Sequence, residues 1–472
     1  MGVNGLNQPD AITYGSLKLI MGDAMAQVVN LKIEESPNQH GLLSVTVIAE
    51  EQVKDYILYE ANGDVTLLYE KNDTMKPLFQ GIMIKMKVTA EGEVYYISFD
   101  VITDSYLMDY QVYNISFQDI AMTSHQMIKL LMNFYPGSQM LISIPDQPMG
   151  QIAVLYQETI WEFLKRFLSR YESYLYVDST KRGICLRIGL QEMKENVSWD
   201  SLPYTVKRNT APKEVEKQLK EQLVYIVESY DILPLGTKIL FHGKELFIGK
   251  IYRSLKNGLL INQYHLYFRE GLRIRTYYNP NICGVSINGV VSHIQRNQVQ
   301  VQLQTDALTS YQSQYFFPYS SVAASPDGGG WYCMPKSGDQ VRIFFPVSNE
   351  SEGYAISNIQ GDSSPALDSP MGNPDLKDIT TPDGKTVKFI ANGILVSVGD
   401  GKGSITFTND GKAAITTEKN FVIGAGEEVK ITTDGEIKLS AGTQITFNSD
   451  AGSSINLTED AVEANASVIW NN

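Results

Sequence analysis

Residues 328–333 read Gly-Gly-Gly-Trp-Tyr-Cys, a concentrated group of residue types that could do chemistry. A glycine cluster can cradle a phosphate, and Trp331 and Tyr332 could stack on a base or a sugar. A phosphate loop, however, continues into Lys-Ser/Thr and a helix. Here the chain runs on through Pro335 and a Gly338-Asp339 turn to the strand-like Val341, Ile343 and Phe345. The histidines at 40, 125, 242, 265 and 293 follow no metal-ligand spacing. Cys185, Cys283 and Cys333 form neither a disulfide framework nor a zinc motif, and read as buried free thiols. Asp100, Asp104 and Asp109 match no cation loop. The carboxylate pairs Glu427-Glu428 and Glu459-Asp460 are adjacent, so on a strand they point to opposite faces and cannot act as one acid/base pair. No Gly-x-Ser-x-Gly, His-Glu-x-x-His or Walker motif occurs. The expectation is a protein that is not an enzyme, with no catalytic, cofactor-binding or metal residues.

Composition agrees with a folded, acidic protein. Hydrophobic residues make up 43% and charged residues 19%, a globular balance, and 472 residues suggest several domains. A net charge of −14 disfavours nucleic acid as a partner, because phosphate binding needs clustered Lys and Arg. No secretory leader or membrane-length apolar run is seen, so cytoplasmic assembly is expected; Met1-Gly2 alone is weak evidence for lipidation.

The elements that must position these residues are mostly strands. "LLSVTVIAE", "DVTLLYE" and "EGEVYYISFDVIT" alternate apolar and polar residues, and Gly81 marks a kink or close pairing. Two helices follow. "TSHQMIKLLMNFYPG" starts at a Thr or Ser cap with Met127, Leu130, Leu131 and Phe134 on one face. "YQETIWEFLKRFLSRYESYLYVD" places Ile160, Phe163, Leu164, Phe167 and Leu168 in an amphipathic stripe, with a Glu162–Arg166 pair expected at i, i+4. Further strands span 201–280, separated by Gly-Lys and Asn-Gly turns. Five or so short strands between 281 and 361 suit a small closed barrel of the OB type.

From Ile405 an eight-residue period sets in, with two apolar slots per octad: Ile405/Phe407, Ala413/Ile415, Phe421/Ile423, Val429/Ile431, Ile437/Leu439 and Ile445/Phe447, then Ile455 alone. "NDG", "TDG" and "SAG" lie between the pairs. One octad holds a strand and a turn, too little to bury its own apolar pair. Either neighbouring octads pair as hairpins, or other chains supply the missing walls of a thin three-walled prism. At about 4.8 Å per strand layer the octads would build a shaft on the order of 35 Å long. Residues 391–472 carry five lysines against eleven Asp plus Glu, so the outside of such a shaft is acidic.

In this order, the segments resemble the hub-and-spike proteins of contractile injection systems, that is, the phage baseplate hub fused to its tail spike, and VgrG of type VI secretion. "YQETIWEFLKRFLSRYESYLYVD" looks like the hub's helix-strand segment. "MPKSGDQVRIFFPVSNESEGYAISNI" looks like the spike's OB segment, with Pro335, Gly338 and Asp339 in its Pro-x-x-Gly-Asp turn. "SYLMDYQVYNISFQDIAMTSHQMIKLL" resembles hubs of phage-like systems of Gram-positive bacteria.

The resemblance implies a mainly β fold of hub β-barrel domains with helical insertions, an OB-fold barrel and a C-terminal trimeric β-helix or prism needle. The expected division is an N-terminal tail (1–12), a first hub barrel (13–110), a helix-containing hub domain (111–200), a second hub barrel (201–280), the OB domain (281–361), a linker (362–390) and the octad needle (391–472). It implies a homotrimer that adapts a six-fold tube to a three-fold needle, with inner-tube and baseplate proteins as partners and the target membrane met on firing. The needle end would be a platform for a PAAR-like tip protein or effectors. Such a protein would work within a phage tail-like particle, a tailocin among them, and reach the outside or the target cell on firing. Two family features are missing. The linker is too short for a lysozyme domain, and no histidine follows His293, so an iron-binding His-x-His tip is not expected. The alternative is a tailspike-like protein that binds or cleaves glycans. That needs an aromatic-lined groove with paired carboxylates, whereas the octads carry one tryptophan, Trp470.

Overall fold

Alternating strands need a partner face, and in the computed structural model they find it by closing on themselves. The structure describes residues 11–191, 193, 195, 197–208, 223–305, 315–321, 323–324, 330–331, 333–357, 377–381, 383–399 and 401–470. They divide into two compact units, 1–359 and 360–472. The fold is mainly β.

In the first unit, six antiparallel strands between Leu17 and Ile102 form a ring, because Leu17–Met21 pairs with both Asp64–Lys71 and Ala24–Glu35. Their inward residues, among them Val28, Ile33, Val45, Phe79 and Phe99, make one core. Tight turns set the register: Asn72-Asp73 and Asn257-Gly258 both hold positive φ at their two central residues, the geometry that matches strand twist. Gly81 has a stricter reason to be glycine. A Cβ there would lie 2.2 Å from the Ile102 carbonyl oxygen, on the neighbouring strand.

The sheet does not end at the ring. Ala24–Glu35 also pairs with Lys244–Lys256, and the ladder continues through Leu259–Tyr267, Leu223–Ser229 and Tyr204–Arg208. Between these strand regions lies the helical part. Helix Ser124–Met132 carries a full capping box from Thr123 and Gln126. Helix Ile160–Ser169 is capped by Thr159 and buries Ile160, Phe163, Leu164, Phe167 and Leu168 in one core with Met127 and Leu131.

Residues 286–357 form a five-stranded antiparallel sheet that closes through a parallel bridge between Tyr319 and Ala355. In chain order its strands are arranged 1-2-3-5-4, and the bridge joins the third to the fifth. Gly289 lets the first strand approach the second, since a Cβ would meet Val301 at 2.4 Å.

The second unit contains two antiparallel meanders, strands Lys377–Thr380 to Ala413–Thr417 and strands Ile445–Asn448 to Val462–Asn465. This corrects the expected linker 362–390. Lys377–Thr380 and Thr386–Ile390 pair with each other and with Gly393–Val398, because a five-residue Thr-x-Asp-Gly-Lys turn at 381–385 folds them back. The same turn recurs at Thr408–Lys412, with Gly384 and Gly411 both at positive φ. Residues 1–10 and 362–376 lie outside the described residues.

Among the described residues no helix is long and apolar enough to cross a membrane, which says nothing of strands. The cysteines depart from expectation. Cys185 is buried, but Cys283 and Cys333 are exposed, since Ile282 rather than Cys283 fills the barrel core beside Val291 and Phe345.

Candidate functional site

The octads expose what a soluble strand normally hides. Cross-strand register aligns Ile394 with Phe407 and Val396 with Ile405, and Ile405 with Ile415. In the last meander Phe447 faces Ile455, and Ile445 faces Leu457. Alternation therefore puts all of these on one face of each meander. That face is open: Phe407, Ile415, Phe447 and Ile455 are 46–53% exposed. Residues 419–444 make no strand ladder within the chain, yet keep the period, and Phe421, Ile423, Val429, Ile431, Ile437 and Leu439 are all more than half exposed. So adjoining octads pair as hairpins at both ends, while the middle octads are left without walls.

The turn expected at 335–339 docks onto the first barrel strand. Gly338 N–H donates to the Val291 carbonyl at 2.8 Å, and Val291 N–H to the Asp339 carbonyl at 2.9 Å. The Asp339 carboxylate accepts from Lys336 N–H at 2.6 Å. Behind the turn Val341, Ile343 and Phe345 are fully buried. Pro335 precedes it, outside any helix or strand. Gly330–Trp331 pairs briefly with Ala323–Ala324, and residues 325–329 and 332 are outside the described residues. Gly338 has φ +94° but open space around its α-carbon. Gly338→Val is therefore expected to cost about 1–3 kcal/mol through backbone strain rather than collision, lowering the melting temperature; Gly338→Asn should lose less.

One buried polar cluster among the described residues departs from the sequence reading. Arg166 does not pair with Glu162, which takes Lys165 instead at 2.7 Å. Arg166 turns inward, 1% exposed, and donates twice to Glu158 at 2.9 Å, to Glu350 at 2.5 Å and to the Val154 carbonyl at 3.0 Å. Glu350 is 0% exposed and also faces Arg170 at 3.4 Å. Asn279 donates to Glu158 at 3.4 Å and to the Tyr156 carbonyl at 2.8 Å. Burial alone would lower the Arg166 pKa, but its two carboxylates hold it above the ordinary value, so it stays charged. This cluster joins helix Ile160–Ser169 to the small barrel that carries Glu350. Helical spacing gave no cue to this: it sets Arg166 beside Glu162, outside the stripe of Phe163, Leu164, Phe167 and Leu168.

The remaining candidates disperse. Asp100 accepts from Ser44, Asp104 from the Gly183 N–H, and Asp109 from Thr159. No group of three or more His, Cys, Asp or Glu suited to a metal occurs among the described residues. His125 bonds the Ile144 carbonyl, and His242, His265 and His293 pack against Phe241, Tyr252 and Phe316. His40 is different. It stacks on Trp161 at 4.1 Å, bonds Ser105 at 2.8 Å and faces Asp109 at 3.6 Å. Burial lowers its pKa from 6.5 to about 4, only partly opposed by Asp109. The unfolded chain then binds the extra proton first as pH falls. Stability held above pH 6.5 is thus expected to drain away towards pH 4, by on the order of 2–3 kcal/mol from this group. Denaturant titrations across that range should show a flatter pH profile for His40→Phe.

No family model and no curated protein sequence matches the chain. Solved structures do. The chain is similar to the Francisella PdpA-VgrG complex in its lidded form, at TM-score 0.54 and 10% identity, over 85% of this chain and 79% of that one. The half-lidded form gives TM-score 0.51 and 8% identity over 86% and 87%. An E. coli type VI secretion system component, described as structurally similar to T4 bacteriophage tail proteins gp27 and gp5, aligns at TM-score 0.50 and 12% identity, over 72% of this chain and 99% of its own. The likeness is one of fold: a β-rich hub of the VgrG and phage-tail type.

Proposed function

We propose that this chain is the structural hub and spike of a contractile injection system, non-enzymatic, working as a homotrimer. The hub would sit at the end of the tube and adapt its six-fold symmetry to a three-fold needle. The small barrel would be an OB-type collar, and the octads of three chains would wind into the needle that pierces the target membrane. Inner-tube and baseplate proteins would be its partners, with a tip protein or effectors at the needle end, inside a phage tail-like particle.

The observation that carries this reading is the open apolar face of the octads. A chain that keeps two apolar residues every eight positions while leaving them half exposed needs walls from elsewhere. Three copies of itself would supply them in register, and a closed prism has no free sheet edge to unravel under load. The strand arrangement at 286–357 supports an OB assignment, and the hub likeness supports the place of the first unit.

The test is the mass and shape of the purified chain. A trimer seen by light scattering, with a thick base and a thin rod by electron microscopy, is expected. A compact monomer would overturn the assembly. Cleavage of glycan or peptidoglycan by the pure protein would end the non-enzymatic account.

A further inference from the structure

The outward face of the second strand region holds cations left unpaired among the described residues. Direct cross-strand partners share a face, so register fixes which side chains meet there. Thr205, Ile226, His265 and Lys250 form one row across four strands. Glu228, Gln263 and Tyr252 form the next, and Tyr252 has Glu34 of the first ring as its other neighbour. Lys207 lies two positions on from Thr205 along the edge strand, on the same face.

The carboxylates in these rows are already matched. Glu34 pairs with Lys32, and Glu228 with Lys256 at 2.6 Å. Two lysines are left over. Lys207 and Lys250 make no ion pair among the described residues, and the Tyr252 ring lies 6.0 Å from the Lys250 ammonium. Beside them His265 is half-buried against Tyr252 at 5.3 Å and bonds Gln263 at 3.3 Å. Burial, then Lys250 and Lys207, lower its pKa from the ordinary 6.5. A groove of about 450 Å³ opens on this face, lined by Tyr204, Thr205, Ile226, Tyr230, Ile261 and Gln263. Thr205, Ile226 and Gln263 belong to the same two rows as His265 and Glu228, so the groove and the cations are one surface.

We propose that this face binds an acidic segment of a partner protein, with an apolar side chain in the groove and a carboxylate between Lys207, Lys250 and His265. Charge complementarity selects the sign. In a chain of net charge −14, a face whose unmatched charge is positive calls for an anion. The groove selects the class. A free phosphate would use the cations alone, whereas about 450 Å³ lies within the roughly 300–1,000 Å³ that takes a ligand with an apolar body. Nucleic acid would need a longer basic track than two lysines. The titratable groups around the His265 ring are Lys250 and Tyr252 on one neighbouring strand, Glu228 on the other, Tyr267 on its own and Lys207 beyond. A carboxylate arriving there favours the charged ring, so binding takes up protons and tightens as pH falls towards about 6. This site stands independently of the hub-and-spike reading.

The probe is a synthetic peptide, Glu-Glu-Phe-Glu-Glu, titrated into the full-length protein by calorimetry in two buffers of different ionisation enthalpy, so that proton uptake is counted. Saturable binding with fractional proton uptake is expected, weakening as salt rises. Lys207→Gln combined with Lys250→Gln should weaken it by about tenfold or more and leave the melting temperature unchanged, since neither lysine is ion-paired. His265→Gln should keep most of the affinity but lose the proton uptake. Lys87→Gln, at an exposed lysine of the first ring, should bind as the parent does. The same peptide with glutamine for glutamate should not bind, and with alanine for phenylalanine should bind more weakly. The proposal is overturned if the acidic peptide does not saturate, if the double variant binds as tightly as the parent, or if inorganic phosphate binds as tightly as the peptide. Proton uptake that survives His265→Gln would also overturn it, as would a lower melting point for the double variant, by showing that the lysines serve the fold.

Discussion

Arg166→Ala is expected to destabilise the first unit by about 3–5 kcal/mol, a large share of the roughly 5–15 kcal/mol that holds an ordinary domain folded. The size follows from what remains behind. Glu158 and Glu350 are 8% and 0% exposed, and without the guanidinium they face each other's charge with little water to help. The Val154 carbonyl also loses its donor. Arg166→Lys should recover only part of the loss, because a single ammonium cannot reproduce the two-pronged bond to Glu158 while reaching Glu350. A triple variant with Arg166→Met, Glu158→Gln and Glu350→Gln removes all three charges and should be much less damaged than Arg166→Ala. Chemical denaturation of the three variants tests this. Equal stability of Arg166→Ala and parent would mean that the cluster does not tie the helix to the small barrel.

The same cluster marks where sequence reasoning stops. Periodicity located helix Ile160–Ser169 and its apolar stripe because local spacing dictates which residues share a face. The octad repeat and the turn at 335–339 were legible for the same reason. Arg166 was read as a surface partner of Glu162, since i, i+4 pairing is the local default. Its true partner Glu350 lies 184 positions away, and no local pattern encodes that. His40 is likewise defined by Trp161 and Asp109, from distant segments. The strands at 377–390 were hidden for another reason. Their apolar residues precede the regular octads, so the Thr-x-Asp-Gly-Lys turn that folds them had only one later copy to be compared with.

If the chain assembles as the proposed trimer, a variant with Phe421, Ile423, Val429 and Ile431 all replaced by serine is expected to abolish that assembly while leaving the fold of the protomer's first unit intact. These side chains are already 53–67% exposed in the single chain, so their removal takes little from it. In a closed needle they would be covered. Each would contribute on the order of 1 kcal/mol for the area still to be buried, and four positions in three chains bring the loss to roughly 10 kcal/mol per trimer. That is about seven decades in the association constant, well beyond what the remaining octads need lose for assembly to fail at micromolar protein. Val422 is the control. It is 83% exposed and alternates to the opposite face from Phe421 and Ile423, so Val422→Ser should assemble as the parent does. Light scattering gives the mass of each variant, and circular dichroism with thermal melting checks the fold. If the fourfold variant stays trimeric, the octads do not hold the chains together and the hub must. If Val422→Ser dissociates as well, the inward face has been assigned to the wrong side of the strand.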